Sequence, residues 1–179
     1  MKKTIIALTL LSTASTAIAN QEFGGFRIGG GLSISATDYL GVNQFYTVDG
    51  SGLRLEAGYD INKIVGISVI NENSSGSWYN EELDTRTTQI TADIGYAFET
   101  STAYLKPFGR IGLGVINGTA ELNRSYGTVS ESVNESGIVL GGGFRSQFKT
   151  GFYTELSSAI LVTEWADQYQ FSATLGYKF

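Results

Sequence analysis

The chain has 179 residues, with 23 Gly, one Pro, no Cys, no His and a formal net charge of −5. Without Cys or His it has no disulfide framework, no thiolate or imidazole metal centre and no imidazole acid–base chemistry. The acidic balance excludes the basic footprint of a nucleic-acid binder, and aromatic residues at 12% separate it from disordered chains, which lack them.

Residues 1–19 read as a signal peptide. Lys2 and Lys3 form a positive start, Ile5 to Leu11 an apolar run, and Ala17-Ile18-Ala19 a small-x-small cleavage site, which makes 20–179 the mature domain. The run is far short of the ~20 residues of a membrane helix, and Ser12, Thr13, Ser15 and Thr16 interrupt it. No later stretch is long and apolar enough to cross as a helix, so a membrane form of this chain has to be a closed barrel.

Beyond residue 25 the pattern is alternation with period two, the signature of half-buried strands. The first segment sets Phe26, Ile28, Gly30, Leu32 and Ile34 against Arg27, Gly29, Gly31 and Ser33. The second sets Leu53, Leu55, Ala57, Tyr59 and Ile61 against Arg54, Glu56, Gly58 and Asp60. The third is shorter, with Val65, Ile67 and Val69 against Gly66 and Ser68. The fourth sets Ile90, Ala92, Ile94, Tyr96 and Phe98 against Gln89, Thr91, Asp93, Gly95 and Ala97. In the fifth, Ile111, Leu113 and Val115 oppose Arg110, Gly112 and Gly114; in the sixth, Ile138, Leu140, Gly142 and Phe144 oppose Val139, Gly141, Gly143 and Arg145. The seventh sets Phe152, Thr154 and Leu156 against Tyr153, Glu155 and Ser157. The eighth is the clearest: Tyr169, Phe171, Ala173, Leu175, Tyr177 and Phe179 alternate with Gln170, Ser172, Thr174, Gly176 and Lys178 without a break.

Connections alternate in length. Short ones fall at 60–63, 99–103 and 147–150; long polar ones, expected as loops, at 36–51, 71–86, 117–136 and 162–168. Eight strands, short turns on one side and long connections on the other predict an all-β fold, an eight-stranded antiparallel up-and-down transmembrane β-barrel with the long loops outside. Tyr59, Tyr96, Phe98, Phe148, Phe152, Tyr177 and Phe179 fall at the short-turn ends of strands, as a periplasmic aromatic girdle would. Tyr39, Tyr46, Trp78, Tyr79, Trp165 and Tyr169 fall in or near the long connections, as an outer girdle or as loop packing.

The mature chain resembles the small eight-stranded outer-membrane β-barrels of Gram-negative bacteria, the OmpX/Ail/Lom-like proteins and the membrane domain of OmpA. The signal peptide and the terminal segment 172–179, Ser-Ala-Thr-Leu-Gly-Tyr-Lys-Phe, carry the likeness. The resemblance implies that Phe171, Ala173, Leu175, Tyr177 and Phe179 form the signal read by the barrel-assembly machinery. It also implies a cell-outer-membrane location with outer-membrane lipid and lipopolysaccharide as surroundings.

Arg27, Arg54, Glu56, Asp60, Asp93, Arg110, Arg145 and Glu155 fall on the face opposite the apolar one, and hence inside the barrel. An eight-stranded interior is wide enough only for side chains, and charges there have to pair. Hairpin register suggests Asp93 with Arg110 and Arg145 with Glu155, with Arg54 and Glu56 joining a neighbouring network. These charges read as a plug that fixes register; the sharper reading is a gated, narrow ion path.

Other motifs carry less. Gly109, Gly112 and Gly114 lie in a strand and not in a phosphate loop; the Asn-x-Ser/Thr patterns at Asn73, Asn117, Asn123 and Asn134 reflect polar loop composition. The acidic group Glu81, Glu82 and Asp84 reads as a solvated face, with a divalent-cation site near lipopolysaccharide as the alternative. An outer-membrane lipid hydrolase or acyltransferase resembling this barrel would use a catalytic His, which the chain lacks. A soluble lipid-binding barrel would reverse the sidedness of the apolar faces. The expectation is a non-enzymatic integral membrane protein without a metal or cofactor, anchoring four exposed loops for envelope structure, adhesion or another surface interaction, with an unknown ligand. The alternative is a small porin-like channel for ions or small solutes.

Overall fold

The structure, a computed structural model, describes residues 23–40, 45–78, 81–124, 127–164 and 166–179. The elements are β1 (Gly25–Leu40), β2 (Phe45–Asp60), β3 (Val65–Trp78), β4 (Glu81–Gly95), β5 (Phe98–Glu99), β6 (Ala103–Arg124), β7 (Gly127–Phe148), β8 (Phe152–Val162) and β9 (Ala166–Lys178). Eight long strands pair antiparallel with their sequence neighbours, β1 pairs with β9, and the two-residue β5 adds to the start of β6. Pairing of β4 with β6, from Glu82↔Glu121 to Gly95↔Phe108, lies within this circuit, so the sheet has no open side and forms a closed barrel. Closure satisfies the backbone polar groups that hydrocarbon cannot.

The alternation fixes the two faces. Outward side chains such as Leu32 and Leu113 are 68% and 69% exposed, while Arg27 on the inner face is 0% exposed. One outward apolar row runs Val69–Ile90–Leu113–Ile138 through consecutive registers. Four residues further out, the corresponding row is polar: Asn73, Arg86, Asn117 and Asn134. Arg86 Nε donates to Asn73 Oδ1 at 2.9 Å, and Asn134 Nδ2 to Asn117 Oδ1 at 2.8 Å. This change from apolar to hydrogen-bonding side chains marks the outer edge of the lipid belt.

At the opposite end the connections are tight. Asn62 Oδ1 accepts from the amides of Ile64 and Val65, both at 2.8 Å, which closes the β2–β3 turn. Between β7 and β8 the chain turns at Gly151, whose φ of 95° is strained for any residue with a side chain. Between β4 and β6 the connection differs from expectation. β4 ends at Gly95, and Phe98–Glu99 pair separately with Leu105 and Tyr104.

The long polar connections also depart from the sequence expectation. Most of 36–51, 71–86 and 117–136 continues the strands: β1–β2 pairing runs to Leu40↔Phe45, β3–β4 to Trp78↔Glu81, and β6–β7 to Arg124↔Gly127. The expected loops are therefore mainly β-ribbons rising beyond the belt. Past the bilayer both faces of a ribbon meet water, so the apolar signal that reveals a strand disappears although the ladder persists. The connection after Val162 is short, with β9 starting at Ala166.

Aromatic side chains ring the tight-turn end. Tyr96 and Phe98 meet edge to face at 5.1 Å between centroids, Phe152 and Tyr177 at 5.3 Å, and Tyr177 and Phe179 at 5.1 Å. Phe148 is exposed and Tyr59 half-buried, and Phe26, which the sequence reading left out, lies 6.3 Å from Phe179. Phe171, Ala173 and Leu175 face outward on β9. Tyr169 is exposed on β9, whereas the side chains of Tyr39, Tyr46, Trp78, Tyr79 and Trp165 lie outside the described residues, as do residues 1–22.

Candidate functional site

Because successive residues point to opposite faces, every second position of each strand enters the lumen. Arg27 comes from β1, Arg54, Glu56 and Asp60 from β2, Asp93 from β4, Arg110 from β6, Arg145 from β7 and Glu155 from β8. The structure brings all eight into one network near the tight-turn half of the barrel.

Asp93 is its hub. It receives Arg110 Nε at 2.7 Å, Arg27 Nη2 at 2.9 Å and Arg145 Nη2 at 2.9 Å. Arg145 Nε also donates to Glu155 Oε2 at 2.8 Å, and Glu155 Oε1 accepts from Arg110 Nη2 at 3.1 Å. Arg27 reaches Asp60 at 2.8 Å and Glu56 at 3.2 Å, and Arg54 reaches Glu56 at 3.1 Å. Gly58 makes room for this: a Cβ there would lie 2.7 Å from the Arg27 guanidinium carbon. The Phe108 ring lies 5.0 Å from both Arg110 and Arg145, a position that favours cations over an aromatic face.

Sequence reading left Glu72, Lys106 and Lys178 out of this charge set, and all three are buried. Lys178 Nζ donates to Asp60 Oδ2 at 2.9 Å, Lys106 Nζ lies 3.9 Å from Asp60, and Glu72 lies 3.7 Å from Arg54. The signal was parity. Lys106 stands four residues before Arg110, and Glu72 four after Ser68, each on the inner face. Glu72 falls in the polar stretch 71–86 that lacks apolar alternation, and Lys106 precedes the first clear alternation of its strand. With these three, the buried charges of the described residues are six cations and five carboxylates, close to neutral.

The tight-turn mouth is closed by Phe23. Its ring lies 3.9 Å from Lys178 Nζ and meets Tyr104 edge to face at 5.2 Å. Outside it, Lys149 donates to Glu99 at 3.1 Å, and this bond holds the Glu99 carboxyl below its ordinary range. Toward the outer end, side-chain amides and hydroxyls cross the lumen. Gln89 donates to Gln170 at 2.6 Å, Thr87 to Gln168 at 2.7 Å, and Gln168 to Thr37 at 3.3 Å. An apolar cluster of Ile116, Val139 and Leu161 fills the same level. Chemically this interior is suited to filling space and fixing register. Among the described residues no cluster of His, Cys, Asp or Glu is arranged to hold a metal ion. Asp84 is exposed, and the side chains of Glu81 and Glu82 lie outside the described residues.

The fold has solved counterparts. Ail, the attachment invasion locus protein of Yersinia pestis, superposes with a TM-score of 0.64 at 17% identity, covering 87% of this chain and 99% of that one. Ail has also been solved with the heparin analogue sucrose octasulfate, with a TM-score of 0.64, 19% identity and the same coverage. Neisserial surface protein A gives 0.61 at 15% identity, covering 87% and 97%, and OprG of Pseudomonas aeruginosa 0.60 at 11%, covering 89% and 97%. No match was found among curated protein sequences. The family model described as "Outer membrane protein beta-barrel domain" matches residues 4–179. A closed circuit of strands, an apolar outer belt and that match across nearly the whole chain have one reading: this is a member of the outer membrane protein β-barrel domain family.

Proposed function

We propose that the barrel is a closed, non-enzymatic anchor in the outer membrane that presents its outer β-ribbons as a surface for interaction. The filled lumen carries this reading. Arg27, Arg54, Glu56, Asp60, Asp93, Arg110, Arg145 and Glu155 are at most 3% exposed, and their arginines are shared among carboxylates of different strands. An ion crossing this lumen would have to displace several charge-assisted hydrogen bonds together. In this proposal residues 1–19 act as a cleaved signal, and the outward β9 side chains Phe171, Ala173, Leu175, Tyr177 and Phe179 are read by the assembly machinery. The aromatic ring at the tight turns sits at the periplasmic lipid interface, and lipopolysaccharide surrounds the ribbons.

The solved Ail complex suggests a polyanionic carbohydrate as the kind of ligand such a surface takes. The ribbons of this chain oppose that chemistry. Segments 76–86 and 117–136 contain Glu81, Glu82, Asp84, Glu121, Glu131 and Glu135 against Arg86 and Arg124. Purified protein in planar lipid bilayers tests the closed lumen. The expected record is the bare-membrane baseline; reproducible single-channel steps would replace the anchor with the porin-like alternative.

A further inference from the structure

The lumen is electrically uneven along its axis. At the tight-turn end four cations converge on one carboxylate: Asp60 is reached by Arg27 at 2.8 Å, Lys178 at 2.9 Å, Arg145 at 3.5 Å and Lys106 at 3.9 Å. Toward the ribbons the reverse holds, and Glu72 has only Arg54, at 3.7 Å, among the described residues. Lys106 is 2% exposed, and its ammonium has no hydrogen-bond partner among the described residues. A buried charge in that state is unfavourable until an opposite charge or a polar group reaches it.

Phe23 covers these groups without belonging to the wall. Ladder pairing of β1 begins at Gly25↔Asp60 on one side and at Arg27↔Lys178 on the other, so Phe23 can leave without breaking a strand–strand hydrogen bond. Its ring lies 3.9 Å from Lys178 Nζ and 5.8 Å from Lys106 Nζ, against both ammonium groups. The chain passes close over Lys178 here: a Cβ at Gly25 would lie 2.9 Å from its Cε. An ammonium has three donors, and those of Lys178 go to the Phe23 carbonyl, Asp60 Oδ2 and Gln147 Oε1. When Phe23 swings out, one donor of Lys178 is freed near the unpartnered Lys106, and both lose an aromatic face.

We infer that the tight-turn mouth is a lidded binding site for a small oxyanion of phosphate size, with Phe23 as the lid and Lys106 and Lys178 as the groups that hold the anion once the lid is out. Anion and lid compete for the same Lys178 donor, so the mouth holds one or the other. The site lies on the inner faces of β6 and β9. It opens along the barrel axis, so its anion comes from periplasmic water and not from the lipid around the wall. The inference goes beyond the anchor reading and rests on it for the filled lumen and the orientation, so the anion enters and leaves by this mouth.

Beyond residue 3 the chain has four lysines, Lys63, Lys106, Lys149 and Lys178. Lys63 and Lys149 are partly exposed at the tight turns. The test follows acetylation of each lysine by a water-soluble, amine-reactive reagent, read by mass spectrometry on protein in nanodiscs of zwitterionic lipid. Lys106 and Lys178 are expected to react at least tenfold more slowly than the other two, and Phe23→Ala to bring them within threefold. Inorganic phosphate, against chloride at equal ionic strength, is then expected to slow these two again, saturably and at least fivefold, and to leave Lys63 and Lys149 unchanged. Lys106→Met added to Phe23→Ala is expected to abolish that protection of Lys178. The unaltered chain carries a second readout: chymotrypsin should clip after Phe23 several-fold faster in phosphate than in chloride, because the anion holds the lid out. If Lys106 and Lys178 stay slow in a Phe23→Ala protein that keeps its heat-shifted gel band, the lid is overturned. Absence of saturable protection, or of faster clipping where Phe23→Ala does not fold, would overturn the anion site, as would equal slowing of all four lysines. Protection by phosphatidylglycerol in the nanodisc without phosphate would give the site to a lipid headgroup and overturn its supply from periplasmic water. Single-channel steps in planar bilayers would overturn the anchor reading and leave the lysine pattern interpretable.

Discussion

Arg145 reaches across the lumen from β7 to carboxylates on β8, β4 and β2: Glu155, Asp93 and Asp60. Removing one partner of such a buried set leaves the remaining charges without solvent, at a cost of about 3–5 kcal/mol. Arg145→Ala and Glu155→Ala should each destabilise the barrel by that amount, and the double variant by clearly less than their sum. Denaturant unfolding in detergent micelles measures the cycle; additive losses would show that the two side chains do not act on each other. Part of this network was legible from parity along each strand. Hairpin register pointed to Asp93 with Arg110 and Arg145 with Glu155, but not to the links between strands outside one hairpin, because Asp93 also gathers partners from β1 and β7 and no hairpin rule relates β1 to β4. Lys178 lay on the inner face of the clearest strand, yet its partner Asp60 is 118 residues away.

The strands themselves were more legible than their ends. Inside the belt a residue meets either lipid or lumen, and that contrast writes period two into Leu53–Asp60 or Tyr169–Phe179. Beyond the belt Asn71–Arg86 reads as mainly polar, although the β3–β4 ladder runs without interruption to Trp78↔Glu81. Glycines and polar residues that suggest a loop to the eye are tolerated in a ribbon held by its backbone pairs. The belt makes its own prediction. Leu113 is 69% exposed in the middle of the apolar row, and Leu113→Arg should destabilise the barrel by about 2–4 kcal/mol in lipid, as a cation does near a bilayer midplane. Thr119→Arg, four residues beyond the belt residue Val115 on the same outward face, should change stability by less than about 1 kcal/mol. Reversible unfolding in lipid vesicles compares the two, and equal losses would place the belt elsewhere.

At the scale of the molecule, closure is the organising fact. β1 pairs with β9 over thirteen residues, from Arg27↔Lys178 to Tyr39↔Ala166, and the interior charges are shared between distant parts of the chain. Such a barrel should resist detergent until heated as a unit. Unboiled and boiled samples are expected to migrate differently on a denaturing gel, and identical migration would count against a closed barrel in the purified protein.

The hub at Asp93 has a bearing on how the chain enters its membrane. Its three arginines are residues 27, 110 and 145; the β4–β6 hairpin supplies only Arg110, and Arg27 and Arg145 arrive from strands outside that hairpin. A half-zipped sheet lying in hydrocarbon would leave guanidinium and carboxylate groups facing lipid tails, a state that costs several kcal/mol per ion. The nascent sheet must therefore keep its concave side hydrated until the first and last strands meet, and the final seam expels that water as the ions find one another. The same residues that neutralise one another in the finished interior make every unfinished version of it wet.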